Sequence, residues 1–337
     1  GSIMTLTQLK YLIAVVDNRL NISLAAENLN TSQPGISKQI KLLEEELLAT
    51  IFVRKGKKLT DITPFGDEVI FYARKILQDV SNIGLLGQQL SSVDQGVLTI
   101  ATTHSQARYV LPDVIKAFKL EYPKVKLELK LGSASQIKEM VQTSEVDIAI
   151  ATDLLELQRE LVLLPAYHWY HAIIAPLDHP IKKDFKRLTI NRLAKEPLVT
   201  YAFSVEPDTS FSETFGNAGL KPNIVFAARD ADIIKTYVNM GMGVGIIAGM
   251  AYNCDDHEVF AITSGENIFP RCTAWFGFRR GMLLRNYLVN FINLFAPALS
   301  PKLILKAAEV SSQSELDKLM KDIDLPSKGG CDEINTN

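Results

Sequence analysis

The run Thr31-Ser32-Gln33-Pro34, followed by Ser37, Lys38 and Lys41, carries the groups needed to hold a phosphodiester backbone and touch base edges. Ser32 is suited to cap a helix start, and a proline in the first turn is tolerated because its missing N–H has no partner there. Spacings of three and four put Pro34, Ser37, Lys38 and Lys41 on one helical face, opposite Ile36, Ile40 and Leu43. Glutamine can pair with adenine in a major groove, while serine and threonine reach bases or phosphates. Further on, Arg54, Lys55, Lys57 and Lys58 cluster in a way that suits backbone phosphates. A plainer reading is a domain used for protein contacts, with its lysines solvated. Charge does not decide between the two, because residues 1–63 hold eight Lys/Arg (10, 19, 38, 41, 54, 55, 57, 58) against six Asp/Glu (17, 27, 44, 45, 46, 61).

A second group of polar residues suits a small ligand. Thr102, Thr103, Ser105 and Gln106 follow an extended run at 97–101 and precede a helical one. In α/β sheets ligands sit at the carboxyl ends of strands, and free N–H groups at a helix start favour an anion. Neutral hydroxyl and amide donors there fit sulfate or a carboxylate. Ser105 alone could be no more than a helix cap. Ser133 and Ser135 repeat the arrangement, Thr152 follows the run 146–151, and Thr200, Ala202 and Phe203 close another run that should face the same cleft. His104, His168, His171, His179 and His257 lack HxH or HExxH spacing, so they read as structural or pocket-wall residues rather than metal ligands. Gly241-Met242-Gly243-Val244-Gly245 follows a helix and precedes a strand, the reverse of a dinucleotide loop, and reads as a helix stop and turn. No paired acid and base, no nucleophile beside a base and no catalytic residues emerge.

The elements that must position these groups can be read from periodicity. Leu6, Leu9, Ile13 and Val16 recur at helical spacing over 6–18, a second helix covers about 22–29, and a third runs from Ser32 to about Leu47. Residues 50–63 read as a hairpin around Lys55-Gly56-Lys57. This is a winged helix-turn-helix over 1–63. Pro64 opens a linker helix within 64–94, where Val69, Ala73, Ile76, Val80, Ile83, Gly87 and Leu90 form a heptad seam. The seam could lie on its own domain's core, but its length and polar flanks favour pairing with a second copy.

From 95 to 326 strand-like runs (97–101, 124–131, 146–151, 171–175, 197–201, 223–227, 244–248, 272–278) alternate with helical ones. That argues for an α/β effector domain with mainly parallel sheets, in two lobes of about 95–164 with 270–300 and about 165–269. Crossovers are expected at Leu164–Pro165 and Phe269–Pro270, and the tail 327–337 reads as disordered. Hydrophobic residues make up 47% of the 337 and charged ones 22%, with a net charge of −2, a globular balance that leaves any basic surface confined to a small part. Cys254, Cys272 and Cys331 share no CxxC spacing, which argues against a zinc site or a disulfide framework and for a reducing, cytoplasmic setting. No apolar run is long enough to span a bilayer, so no membrane partner is expected.

Leu24 to Glu44 (LAAENLNTSQPGISKQIKLLE), with Arg54 and Thr60-Asp61-Ile62-Thr63-Pro64-Phe65-Gly66, closely resembles the signature of LysR-type transcriptional regulators. Ala101 to Tyr109, Asp230 to Tyr237 and Lys321 to Pro326 resemble the CysB-type branch of that family, activators of cysteine biosynthesis and sulfur assimilation. The resemblance implies a two-lobed, periplasmic-binding-protein-like effector domain, a homodimer or homotetramer, and no cofactor. It implies an effector among O-acetylserine, N-acetylserine, sulfate and thiosulfate, and matches Thr103, Ser105, Gln106 and Thr152 to the anion site. Partners would be double-stranded promoter DNA, RNA polymerase and further copies of the chain. One stretch departs from the pattern: Ser204-Val205-Glu206-Pro207-Asp208 replaces a segment rich in glycine and threonine. A carboxylate near a bound anion repels it, so either Glu206 faces solvent or the ligand carries an ammonium group. A metabolic enzyme with a DNA-binding appendage, and a solute-binding module that acts without DNA, are the readings from other classes.

Overall fold

The computed structural model describes residues 3–90, 94–153, 159–262 and 268–329. The chain divides into two compact units, the first comprising residues 1–93 with 280–285, the second 94–279 with 286–337.

In the first unit, α1 (Leu6–Asp17), α2 (Ile22–Asn28) and α3 (Gln33–Leu47) precede a hairpin of β1 (Phe52–Lys55) and β2 (Lys58–Ile62), and α4 (Pro64–Gln89) follows. Each helix start is closed by a side chain. Thr5 and Gln8 form a reciprocal capping box, Asn21 accepts from the Leu24 N–H, Ser32 from Gly35 and Thr63 from Gly66. Leu9, Leu12 and Val15 of α1, Ala25 and Ala26 of α2, and Ile36, Ile40 and Leu43 of α3 bury one shared core with Ile51, Phe52, Ile70 and Ala73. The first turn of α4 lies so close to the hairpin that a Cβ on Gly66 would sit 2.3 Å from the Ile51 carbonyl oxygen. The heptad seam divides. Val69 and Ala73 pack on this core, whereas Ile76, Ile83 and Leu90 are 39%, 69% and 90% exposed, so the later seam is left largely uncovered among the described residues.

The second unit holds two five-stranded mixed sheets, one per lobe. The first-lobe strands are β3 (Gly96–Thr102), β4 (Val125–Leu131), β5 (Ile148–Ala151), β6 (Leu161–Trp169) and, from late in the chain, β12 (Cys272–Arg279). The second-lobe strands are β7 (His171–Pro176), β8 (Pro197–Tyr201), β9 (Asn223–Ala228), β10 (Val244–Ala248) and β11 (Val259–Ile262). The orders are β4-β3-β5-β12-β6 and β11-β7-β10-β8-β9. Helices α5 (Leu111–Glu121), α6 (Ala134–Gln142), α7 (Ile190–Leu193), α8 (Ser210–Asn217), α9 (Ala231–Asn239), α10 (Asn286–Phe295), α11 (Pro301–Ala308) and α12 (Gln313–Met320) complete it. Phe118, Phe276, Phe291, Phe295 and Tyr167 interlock edge-to-face or tilted in the first lobe, and in the second Phe211 stacks on Phe269 with Phe215 tilted against both.

The sheets are mainly parallel, as expected: in each, four strands run one way and a single strand, β12 in the first lobe and β7 in the second, runs against them. Three expectations are corrected. The first crossover falls at Tyr170, not at Leu164–Pro165, because β6 stays paired with β12 from Leu161 to Trp169, with a register shift near Pro165. The uniformly apolar run around Pro165 gave no alternation to mark it as a strand. The second crossover lies between β11 and β12, a span that contains Phe269–Pro270. The segment from Ser327 is not free at its start: Ser327 bridges to His168, and the Lys328 N–H donates to the His168 carbonyl at 2.8 Å. Residues 330–337 lie outside the described residues. Finally, Cys254 is disulfide-bonded, against the expectation from spacing, whereas Cys272 is a buried free thiol whose pKa burial pushes up to about 12.

Candidate nucleic-acid interface and effector cleft

Helix α3 presents the expected polar face. Ser32, Gln33, Pro34, Lys38 and Lys41 are exposed, Thr31 and Ser37 are half-buried, and the opposite side, Ile36, Ile40 and Leu43, is buried in the core. A left-handed Asn30 (φ 52°) turns the chain sharply between α2 and α3. The Gln33 amide donates to the Ser37 hydroxyl at 3.3 Å, which holds it along the helix surface. Lys55, Lys57 and Lys58 are exposed at the hairpin tip. Arg54 behaves differently. Its guanidinium is tied to the buried carboxylate of Glu44 at 2.5 and 3.3 Å, and the same carboxylate accepts the Ile51 N–H at 2.7 Å. Arg54 therefore fastens the wing to α3, and the wing's free cations are its lysines.

In the second unit the strand ends of the first lobe bring hydroxyls together. Thr103, just past β3, and Thr152, just past β5, face each other with hydroxyl oxygens 2.7 Å apart. Trp169 of β6 fixes the second of these by donating from Nε1 to the Thr152 carbonyl at 2.5 Å. Gln106 opens a π-helical turn, Gln106–Val110, that runs into α5. Its side chain is fully buried; Oε1 accepts from the Tyr167 hydroxyl at 2.8 Å, while Nε2 has no partner. A buried amide N–H with no acceptor costs free energy unless something supplies one. Ser105 is buried and interacts with Tyr201 of the second lobe, whose hydroxyl accepts from the Ala248 N–H at 2.9 Å.

Other sequence-derived candidates have structural duties. Thr102 and Thr200 occupy matching positions at the ends of β3 and β8. Both are fully buried and donate to neighbouring strands, Thr102 to the Ile150 carbonyl at 3.0 Å and Thr200 to that of Ile246 at 2.9 Å. Their hydroxyls are thus turned into the sheets and unavailable to a ligand. Ser133 caps α6 and lies 3.2 Å from the Ser135 hydroxyl, both exposed. Ala202 is exposed at the start of a 3-10 turn, and Phe203, half exposed, stacks on Tyr201. Glu206 is exposed, which is the first of the two alternatives its position raised.

Spacing missed a set of contacts that joins the lobes. The Tyr109 hydroxyl donates to Asp232 of α9, the Arg108 guanidinium lies 3.7 Å from the same carboxylate, and the His104 ring nitrogens lie 3.7 and 3.9 Å from Asp230 and Asp232. Burial, then the Asp232 hydrogen bond, push the Tyr109 pKa far up, so the phenol stays a donor. The partners are too far apart in sequence for any local pattern to pair them. His171 is fully buried between Trp169 and Phe269, and burial lowers its pKa to about 4.

Comparison with known proteins bears on both sites. Residues 6–67 match the family described as bacterial regulatory helix-turn-helix protein, lysR family, and residues 91–300 match the LysR substrate binding domain. The chain belongs to the LysR family. It is 42% identical to the HTH-type transcriptional regulator CysB of Haemophilus influenzae over 96% of this chain and 100% of that protein. It is 38% identical to the HTH-type transcriptional regulator cbl of Escherichia coli over 93% of this chain and 99% of that one. Among solved structures, the cofactor-binding domain of the Cbl transcriptional regulator superposes with a TM-score of 0.60 at 38% identity, covering 65% of this chain and 97% of that one. The LysR-family chain is accordingly a transcriptional regulator with a ligand-binding domain, not an enzyme, and the reading as a metabolic enzyme with a DNA-binding appendage is set aside. Among the described residues no helix is long and apolar enough to cross a membrane.

Proposed function

We propose that this chain controls genes of cysteine biosynthesis and sulfur assimilation, and that a small acetylated serine or a sulfur oxyanion bound between the two lobes sets its activity. The observation that carries the effector reading is the unpartnered, fully buried Nε2 of Gln106 beside the facing hydroxyls of Thr103 and Thr152. These donors carry no fixed charge, so they suit a carboxylate or sulfate oxygen. The relationship to CysB and Cbl supports the gene class. Gln33, Ser37, Lys38 and Lys41 are the proposed contacts to promoter DNA, with Lys55, Lys57 and Lys58 on the flanking backbone. The exposed seam of α4 pairs two copies, so the DNA site should be two-fold related, and RNA polymerase is the further partner of an activator. Effector binding must favour one quaternary arrangement over another to be felt at the DNA. Calorimetric titration of the full chain with N-acetylserine, O-acetylserine, sulfate and thiosulfate tests this. Saturable binding of at least one, lost in Gln106→Leu, is expected; no binding by any of the four would overturn the effector reading.

A further inference from the structure

Residues 280–285 join β12 to α10, yet they belong to the first unit while the residues on either side belong to the second. Side chains of α4 account for this. The Asn82 amide donates from Nδ2 to the Gly281 carbonyl at 2.7 Å, and its Oδ1 accepts the Leu283 N–H at 3.0 Å. The Gln78 amide donates to the same Oδ1 at 3.1 Å, and the buried Arg285 donates to Gln88 at 2.9 Å. Three polar flanks of the heptad seam thus have a second use, which is to hold a loop. An asparagine amide suits this, because it pairs with a backbone C=O and a backbone N–H at once. Gly281 turns the loop with a left-handed φ of 82°.

Both stems of the loop are fixed. β12 is paired along its two edges, to β5 and to β6, and Phe276 of β12 packs against Phe291 and Phe295 of α10. β12 also reaches the effector cleft. Its first residue, Cys272, pairs with Trp169, which holds the Thr152 carbonyl, and Trp275 pairs with Ala151, the residue before Thr152. One eight-residue strand therefore has the cleft at its start and the clasped loop after its end. Contiguous packed elements of this kind carry energetic coupling between distant sites.

We propose that Asn82 is a positioning residue for regulation: it clasps the 280–285 loop to the linker helix, and through β12 this clasp ties the state of the effector cleft to that of the DNA-reading unit. The effector half of this statement rests on the ligand reading given above. The DNA half stands without it, because coupling is reciprocal and DNA binding must then be felt along β12 and α10.

Hydrogen exchange of the full chain, with and without a sulfur-assimilation promoter duplex, tests the clasp. In the parent chain the duplex should change exchange within 272–295. Asn82→Ala removes both bonds to the loop and leaves a residue that favours a helix. Gly281→Ala perturbs the loop through its φ alone, since an added Cβ meets nothing within 4 Å. Cooperative melting would show that both variants fold, and both should still shift the duplex in gels. In Asn82→Ala the Leu283 amide should exchange about tenfold faster, equivalent to ~1.4 kcal/mol. In both variants the duplex-induced change should stay within residues 3–89. Calorimetric binding of N-acetylserine should be kept in both, with its effect on the footprint lost. A duplex-induced change that reaches 272–295 equally in both variants, or one that never reaches 280–285 in the parent chain, would overturn the proposal. Failure of N-acetylserine to bind the parent chain would overturn the effector reading instead, and the duplex comparison would still decide this one.

Discussion

Lysines that neutralise phosphates and a glutamine that reads a base should fail differently. Lys38→Ala or Lys41→Ala should weaken binding to promoter and random duplexes alike and lower the salt slope by about 1, whereas Gln33→Ala should cost roughly 1–3 kcal/mol on the preferred site and relax its sequence preference. Gel shifts on both duplexes across a salt series separate the two outcomes. In the cleft, neighbouring threonines should part company in the same way. Thr103→Val removes a hydroxyl that faces Thr152 and should lose effector affinity in calorimetry. Thr102→Val removes a bond to the Ile150 carbonyl and should cost ~1 kcal/mol of stability with effector affinity kept. Sequence could place both residues at a strand end but could not separate them, because the two hydroxyls differ only in which way alternate side chains of a strand point. Arg54 shows the same limit: its type suits a phosphate, and only the fold reveals that Glu44 already holds it.

The elements of the first unit were largely legible, since capping residues and helical spacing are local signals. Thr5, Asn21, Ser32 and Thr63 each close the helix that follows them. Ser32→Ala should accordingly destabilise the unit by ~1 kcal/mol in thermal melts. Glu44→Ala should cost more, about 1–3 kcal/mol, because it leaves the buried Ile51 N–H unpaired and frees the wing. The strands at the lobe crossover were less legible. In β6, Leu161 to Leu164 are all buried, so no alternation betrays them, and its partner β12 lies about a hundred residues away in sequence. His171, at the head of β7, carries a testable pH dependence. Its folded pKa of about 4 lies below the ordinary 6.5, so above pH 6.5 both folded and unfolded forms are neutral and nothing is lost. As pH falls from there towards 4 the unfolded chain takes the proton first, and stability drops by roughly 1.4 kcal/mol per pH unit. Urea unfolding at neutral and acid pH should show a smaller acid loss in His171→Phe than in the parent chain.

At the scale of the whole molecule, the seam of α4 carries the assembly. Ile83 is exposed and belongs to the expected heptad, so Ile83→Asp should shift sedimentation towards smaller species without changing the melting of the first unit. Smaller assemblies should also bind two-fold promoter sites less tightly, since two helix-turn-helix units no longer act together. The domain order and the two-lobed class could be read from the chain, because a long signature and a shift from helical to alternating pattern mark them. The contacts that join the lobes could not, because Tyr109 and Asp232 meet only through the tertiary fold. The central claim is that a ligand held by Thr103, Thr152 and Gln106 alters how the assembled chain sits on DNA. Footprinting on a sulfur-assimilation promoter, with and without N-acetylserine, tests it most directly. The predicted result is a footprint that changes in extent or spacing in the parent chain and stays fixed in Gln106→Leu; an identical footprint with and without effector in the parent chain would contradict it.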